Sequence, residues 1–330
     1  MFNFIKTLTF RKLLNYIKIN LSYFLSALFK KQIYFGLPFH LSFEPTNYCN
    51  LQCPECPTGM RILKREKGFA NLPFFQKLID QVSPHILTLI LYFQGEPFLH
   101  PNLTEMIAYA VKKRVYTIIS TNAQTIDENL AEKIVISGLQ KLIISMDGNT
   151  EQTYKQYRVG GKLEKVKNAI KYLVNAKKKF GSTAPYIEVQ FIVFAFNEHE
   201  IKDIQTTVKE LGADKLALKT AQLYDFPTKQ NLLPKNSKFA RYEVSDGQLK
   251  IKSKLPDKCY RLWYGSVVTW DGIIVPCCYD KDAHYQFGDL KLDSFSKILT
   301  GKKAKEFRAN LLLSRKNIDI CKNCIEGIKT

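Results

Sequence analysis

From residue 38 to Thr220, short apolar runs alternate with segments of helical period, and this repeat constrains the fold more than any other feature of the sequence. The apolar runs, such as ILTLILYFQ at 86–94 and YIEVQFIVFAFN at 186–197, are continuous rather than alternating. Strands of this kind are buried on both faces, as in a parallel sheet covered by helices. Six strand–helix units of this type predict an α/β fold.

The pattern breaks after Thr220, where a segment rich in proline and polar residues is typical of a linker. A smaller unit begins at Cys259, and SVVTWDGIIVPCC predicts a hairpin that turns at Asp271 and Gly272. We therefore predict four parts, which are a basic N-terminal helix at 1–35, a core at 36–222, a linker at 223–258 and a small α+β domain at 259–330.

Three cysteines, Cys49, Cys53 and Cys56, lie directly after the first predicted strand in the motif CNLQCPEC. A structural zinc site takes four protein ligands and a disulfide takes two cysteines, so three adjacent thiols suit neither. Three thiolates can instead hold three irons of a [4Fe–4S] cluster and leave the fourth iron open. A zinc site completed by a distant histidine and three unrelated thiols are the alternatives.

Polar or glycine residues follow five predicted strands in succession: the cysteine loop, GEP, STN, SMDG and FN. In parallel α/β barrels the loops at the carboxyl ends of the strands carry the chemistry. Such residues also end strands for purely local reasons, so one of them alone is uninformative. Together with the cysteines, they predict an active site at one rim.

The C-x3-C-x2-C motif after the first strand, with GEP and SMDG further on, resembles the radical S-adenosylmethionine (SAM) superfamily from about residue 38 to the end. The resemblance implies a partial (βα)6 TIM-like barrel in which Cys49, Cys53 and Cys56 hold a [4Fe–4S] cluster. It also implies that the open iron binds SAM. Reductive cleavage of SAM then gives a 5′-deoxyadenosyl radical, which abstracts a hydrogen atom from the substrate.

Seven positions match residues that contact SAM in that family: Gln94, Gly95, Glu96, Asn122, Ser145, Asp147 and Arg158. In the GEP motif, glycine lets the backbone approach SAM and the carboxylate of Glu96 suits its ammonium group. Asn122 ends the third strand, while Ser145 and Asp147 match the motif beside the ribose and carboxylate. Arg158 matches an arginine that pairs with the carboxylate, and an arginine on a helix surface is the alternative.

One residue departs from the family pattern. Glu55 stands where the family usually has an aromatic residue, just before the third cysteine and near the adenine. The stacking surface for adenine is therefore expected to come from elsewhere.

The C-terminal cysteines resemble the auxiliary-cluster region of the SPASM and Twitch subfamilies, through CYRLWYGSVVTWDGIIVPCCYD, FGDL and CKNC. Four ligands for one auxiliary [4Fe–4S] cluster are then available: Cys259, Cys277, Cys321 and Cys324. Adjacent strand residues point to opposite faces, so we expect Cys278 not to reach this cluster. On their own, CKNC and two distant cysteines indicate zinc as readily as iron.

The first 35 residues contain six basic side chains and no acidic one, and their longest uncharged run, 19–29, has eleven residues. This run is shorter than the roughly 20 residues that span a bilayer, and no signal-peptide pattern follows it. An amphipathic helix on an anionic membrane and a helix packed on the next domain both fit. We expect a cytoplasmic protein, held at the inner face of the membrane if this helix binds lipid.

The net charge of +19 favours acidic partners, although scattered lysines on solvated helix faces explain most of it. We expect a flavodoxin or ferredoxin as the reductant and no nucleic acid partner, since no separate RNA-binding domain is evident. The predicted function is oxidation of a small or membrane-associated substrate after hydrogen abstraction. The alternatives are a peptide-modifying maturase, an RNA-modifying enzyme and a zinc-binding, non-catalytic adaptor.

Overall fold

The computed structural model describes residues 5, 7–224, 229–252 and 255–324. The first residues of the predicted N-terminal helix, two short stretches of the predicted linker and the last six residues of the predicted C-terminal domain lie outside the described residues. The chain divides into two compact units. The first unit comprises Met1–Asn47, Lys64–Thr117 and Lys254–Thr330, and the second comprises Tyr48–Leu63 and Ile118–Ser253.

Helices and strands alternate along most of the chain. In chain order they are α1 (Phe10–Phe29), β1 (His40–Phe43), α2 (Leu72–Val82), β2 (Thr88–Ile90), α3 (Leu103–Lys112), β3 (Tyr116–Thr121), α4 (Glu128–Ile136), β4 (Lys141–Ser145), α5 (Glu151–Tyr157), α6 (Leu163–Lys179), β5 (Tyr186–Val193), α7 (Ile201–Glu210), β6 (Lys215–Thr220), β7 (Tyr242–Ser245), β8 (Gln248–Ile251), α8 (Arg261–Tyr264), β9 (Gly265–Val268), β10 (Ile273–Val275), β11 (Gly288–Asp289), α9 (Phe295–Leu299) and α10 (Lys302–Leu313).

In the first unit, β1 lies between two parallel neighbours, β2 and β9, with His40 opposite Thr88 on one side and Gly265 on the other. The predicted hairpin is present, because β10 runs antiparallel to β9 and pairs Val275 with Val267. Gly272 in its turn has a φ of 95°, which favours glycine. The hairpin thus extends the sheet of β1 and β2 by the parallel strand β9 and the antiparallel strand β10.

In the second unit, β3, β4, β5 and β6 are parallel in chain order, with helices in the connections. Leu142, Ile144 and Val189 are fully buried, as continuous apolar strands require. These mostly parallel strands and their crossover helices confirm the predicted α/β fold.

The predicted linker contains a second hairpin, formed by β7 and β8, that belongs to the second unit. Its Tyr242 and Leu249 are buried in one apolar cluster with Leu51 and Cys53. The Tyr242 hydroxyl oxygen also accepts a hydrogen bond of 3.0 Å from the backbone N–H of Leu223. This hairpin therefore packs on the segment that carries the three-cysteine motif.

A buried ion pair ties together separate segments of the first unit. Arg65 donates to both oxygens of Glu44 at 2.8 and 2.7 Å, and its Nε donates to the carbonyl of Lys281 at 2.7 Å. The Glu44 carboxylate also accepts from the backbone N–H groups of Gln94 and Trp270, both at 3.2 Å. Four chain segments thus meet at one carboxylate that is fully buried.

We predict that Arg65→Met lowers the free energy of unfolding by about 3–5 kcal/mol, because it leaves the buried Glu44 carboxylate without its cation. Lys297→Met, which removes the exposed pair with Asp293, is the control and should change stability little. Thermal melting followed by circular dichroism measures both. Glu44→Gln added to Arg65→Met should recover part of the loss, and equal melting temperatures for Arg65→Met and Lys297→Met would contradict the prediction.

Candidate functional site

The three-cysteine motif forms a compact loop in the second unit. The Cys56 N–H donates to the Cys53 carbonyl at 3.2 Å, and the Met60 N–H donates to the Cys56 carbonyl at 2.8 Å. Gly59 closes the loop against itself, since a Cβ there would lie 2.5 Å from both the backbone N and O of Cys53. The fold of the loop therefore depends on a residue without a side chain beside the middle cysteine.

The three thiols are gathered at one apolar cluster. Cys53 is buried in it beside Leu51 and Tyr157, and Cys49 and Cys56 pack against it. None of the three forms a disulfide. Burial raises the pKa of the Cys53 thiol, and the Arg158 guanidinium opposes this effect. The loop thus presents a group of soft sulfur ligands in a largely dry environment next to a cation.

That cation belongs to the segment that follows α5. The Arg158 Nη1 lies 3.7 Å from the Cys53 sulfur, and its Nε donates to the Asp147 carboxylate at 2.5 Å. Burial acts to lower the pKa of Arg158, but the charges of Asp147 and Cys53 outweigh it and raise the pKa. The adjoining Val159 carbonyl accepts from the Gln52 N–H at 2.9 Å, which fastens this segment to the cysteine loop.

Asp147, just beyond β4, is fully buried and held from two sides. Its carboxylate accepts from the Ile192 N–H at 2.6 Å, and its carbonyl accepts from the Asn197 side chain at 3.0 Å. The structure therefore brings Asp147 and Arg158 together beside Cys53. Arg158, whose side chain is 14% exposed, is an ion-pair partner of Asp147 and not an arginine on a helix surface.

Asn122 and Ser145 lie at the carboxyl ends of β3 and β4. The Asn122 amide donates to the Asn50 side chain at 2.8 Å and lies 3.9 Å from the Cys49 sulfur, so it also contacts the cysteine loop. Ser145 is buried and pairs in register with Gln190 of β5. Asn122 is therefore tied to the cysteine group, whereas Ser145 is placed by the sheet.

Glu55, the atypical residue of the motif, points into the protein. Its carboxylate accepts from Lys229 Nζ at 2.5 Å and from the backbone N–H of Tyr224 at 2.7 Å, and its side chain is 3% exposed. Sequence reasoning did not identify these partners, which lie about 170 residues away in the predicted linker. Glu55 therefore links the cysteine loop to the chain that leads into the hairpin of β7 and β8.

The GEP segment belongs to the first unit. Its Gly95 has a φ of 78°, and Glu96 is 2% exposed and caps the following turn by accepting from the Phe98 N–H at 3.1 Å. The N–H of Gln94 donates to Glu44. This part of the unit is held rigidly by the buried ion pair of Glu44.

The C-terminal cysteines form a second group of sulfurs, also in the first unit. Cys277 follows β10, and the charges of the Cys259 and Cys324 thiols are among the causes that raise its pKa, after burial and Cys278. Burial also raises the pKa of Cys321 to about 12. The charges of Cys259 and Cys324 therefore act on the thiols of both Cys277 and Cys321.

A buried arginine that the sequence analysis did not identify adjoins this group. Arg315 is fully buried and donates to the carbonyls of Lys258 at 3.1 Å and Cys324 at 3.2 Å. Its charge opposes the effect of burial on the pKa of both Cys259 and Cys321. In the sequence it stands between LLLS and KNID, where no local pattern indicates a buried arginine.

Both cysteine groups offer the thiolate ligands that iron–sulfur clusters take, with each thiolate on a different iron. Among the described residues, no three Cys, His, Asp or Glu side chains are placed to share one ion. None of these cysteines forms a disulfide, and an arginine lies near each group.

Comparisons with known proteins agree with this chemistry. The model of the Radical SAM superfamily matches residues 43–209, and that of SPASM, an iron–sulfur cluster-binding domain, matches residues 259–325. The first match covers half of the chain and supports an enzyme rather than a zinc-binding adaptor.

Two curated relatives and one solved structure illustrate the similarity. The tungsten-containing aldehyde ferredoxin oxidoreductase cofactor-modifying protein of Pyrococcus furiosus is 23% identical over 82% of this chain and 83% of its own length. The PqqA peptide cyclase of Gluconobacter oxydans is 24% identical over 73% of this chain and 70% of its own length. The crystal structure of BtrN in complex with AdoMet and 2-DOIA has a TM-score of 0.57 at 20% identity, and the match covers 88% of this chain and 94% of that one.

The likeness to BtrN shows a shared fold, and the family models show the membership. The chain belongs to the radical SAM superfamily and is a radical SAM enzyme with a C-terminal SPASM domain, whose cofactors are [4Fe–4S] clusters and SAM.

Proposed function

We propose that this enzyme oxidises a small or membrane-associated substrate by hydrogen-atom abstraction, with one auxiliary cluster as the electron acceptor. The observation that carries the proposal is the group formed by the three thiols of the cysteine loop, Arg158 and Asp147. When bound there, the reduced cluster supplies the electron that cleaves SAM, and the resulting radical removes a hydrogen atom from the substrate.

In this proposal Cys49, Cys53 and Cys56 hold the catalytic cluster. The positive charge of Arg158 faces two groups, the Asp147 carboxylate and the Cys53 sulfur. Its Nε is committed to Asp147, and its Nη1 faces the Cys53 sulfur. The guanidinium fork therefore lies beside a thiol that would hold the cluster, and it suits the carboxylate of SAM. Asp147 is the positioning residue that fixes the orientation of this fork.

Asn122 is proposed to orient Cys49 and to face SAM, and Ser145 to line the ribose side of the pocket. The GEP residues, Gln94, Gly95 and Glu96, keep the role predicted for them, which is to receive the amino group of SAM. The Glu96 carboxylate is buried and suits an ammonium group.

The four C-terminal thiols of Cys259, Cys277, Cys321 and Cys324 are proposed to hold one auxiliary cluster. After hydrogen abstraction the substrate radical must lose one electron and one proton to become a closed-shell product. The auxiliary cluster would take the electron. An acidic flavodoxin or ferredoxin is the proposed reductant, because the chain's net charge of +19 would steer it.

A peptide is the second candidate substrate. The relative from Gluconobacter oxydans is named a peptide cyclase. Release of 5′-deoxyadenosine distinguishes the two classes when it is measured separately with a polar-lipid extract and with a peptide fraction. Both are prepared from the cells in which the enzyme occurs. The correct class stimulates release above the rate with SAM alone.

We predict that replacing Cys49, Cys53 and Cys56 together by Ala abolishes release of 5′-deoxyadenosine. The measurement is chromatography after anaerobic reconstitution with iron and sulfide, with SAM and dithionite present. Product release by this triple variant at the parental rate would disprove the assignment of the catalytic cluster.

We predict that Cys324→Ala lowers the iron content from about eight to about four per chain, because two cubane clusters hold about eight irons and the auxiliary one would lose a ligand. Cys278→Ala is the matched control and should keep about eight. Iron analysis after reconstitution checks both. Cleavage of SAM should persist in Cys324→Ala, and a loss of iron in Cys278→Ala equal to that in Cys324→Ala would refute the ligand set.

We predict that Arg158→Gln weakens SAM binding about 10- to 100-fold, because a charged, forked donor is lost beside the cluster. Arg61→Gln, at an exposed position just after the cysteine motif, is the control and should bind SAM normally. Equilibrium dialysis with labelled SAM measures both on the reconstituted protein. Unchanged affinity in Arg158→Gln at full iron content would contradict a contact with SAM.

A further inference from the structure

The N-terminal helix α1 is turned the opposite way from an ordinary surface helix. Its buried stripe is mostly polar and follows a spacing of three and four residues: Lys12, Asn15, Ile19, Ser22 and Ser26. A surface helix normally buries its apolar stripe and exposes its polar one. Two features of α1 therefore need an explanation: why its polar side chains are buried, and why its opposite side is exposed.

Hydrogen bonds hold the polar stripe against the first unit. The Asn15 side chain donates to the Leu37 carbonyl at 2.7 Å and accepts from the Leu37 N–H at 2.9 Å. The hydroxyls of Ser22 and Ser26 accept from the N–H groups of Phe35 at 2.7 Å and Ile33 at 3.0 Å. Turning the helix over would break these bonds, so its orientation is fixed.

The opposite side of α1 is an exposed apolar stripe spaced by four and three residues: Phe10, Leu14, Ile17, Leu21, Phe24 and Leu28. Phe10, Phe24 and Leu28 are 74%, 62% and 60% exposed. More than half of the exposed large apolar side chains of the described residues lie between residues 5 and 35. At about 1.5 Å per residue, the stripe is about 30 Å long.

Basic side chains accompany this stripe. Arg11, Lys18, Lys30 and Lys31 are all exposed, and no acidic residue precedes Glu44 in the sequence. A second copy of the chain docked on the same stripe would bring these like charges together. A surface with negative charge above an apolar layer matches both features, and an anionic lipid bilayer is such a surface.

No helix among the described residues is long and apolar enough to cross a membrane. A helix with one apolar face and a basic margin binds instead within the interface, with its axis parallel to the membrane. We propose that the exposed apolar stripe of α1 docks the enzyme on an anionic lipid bilayer. This proposal does not depend on the proposed reaction.

Flotation of the full-length protein tests the proposal, with vesicles of phosphatidylcholine alone or with roughly one third phosphatidylglycerol. We expect binding to the anionic vesicles, weakened by salt because the attraction of the basic residues is screened. Leu21→Glu with Phe24→Glu should reduce binding roughly tenfold or more, since two charges would enter the apolar layer. Both positions are exposed, so the fold should persist.

Leu292→Glu with Leu313→Glu is the matched control, because both leucines are highly exposed outside α1, and this variant should bind like the parent. Failure of the parent to float with anionic vesicles, or equal flotation of the α1 variant, overturns the proposal. A dimer that light scattering detects in the parent but not in the α1 variant also overturns it, in favour of a second copy. Release of 5′-deoxyadenosine with SAM alone should be unchanged in both variants, which separates this outcome from failure of the proposed reaction.

Discussion

The ion pair between Asp147 and Arg158 is the contact on which the arrangement of the cysteine site depends. Asp147 is fixed by the backbone of β5 and by Asn197, and it in turn fixes Arg158 beside the Cys53 sulfur. The Asp147 carboxylate is fully buried and the Arg158 side chain is 14% exposed, so the carboxylate would be costly without its cation. One carboxylate at the end of a strand thereby sets the position of a cation next to the three thiols.

The same physical solution recurs at the second group of cysteines. Arg315 is buried next to Cys321 and Cys324 and uses backbone carbonyls as its acceptors. Thiolates are needed to bind iron, yet burial favours the neutral thiol. A buried guanidinium beside each group offsets that effect, so both sulfur sites combine a dry environment with a compensating positive charge.

Much of this organisation could be predicted because it follows from local patterns. The apolar runs predicted the strands, and Asp271 and Gly272 predicted the hairpin of β9 and β10. The spacing of Cys49, Cys53 and Cys56 suited three irons of a cluster. The partners of Glu55 could not be predicted, since Tyr224 and Lys229 are far away in a segment with no regular pattern. The burial of Arg315 could not be predicted either, because the burial of a single arginine leaves no periodic pattern in the sequence.

The N-terminal helix shows which of its properties the sequence determines and which depend on the tertiary structure. The sequence by itself determined that this segment is a basic helix with apolar and polar sides, too short in its uncharged run to span a bilayer. It did not determine which side faces the protein. Only the tertiary structure decided that, because the backbone groups of residues 33–37 bind the Asn15 and serine side chains and leave the apolar stripe outside.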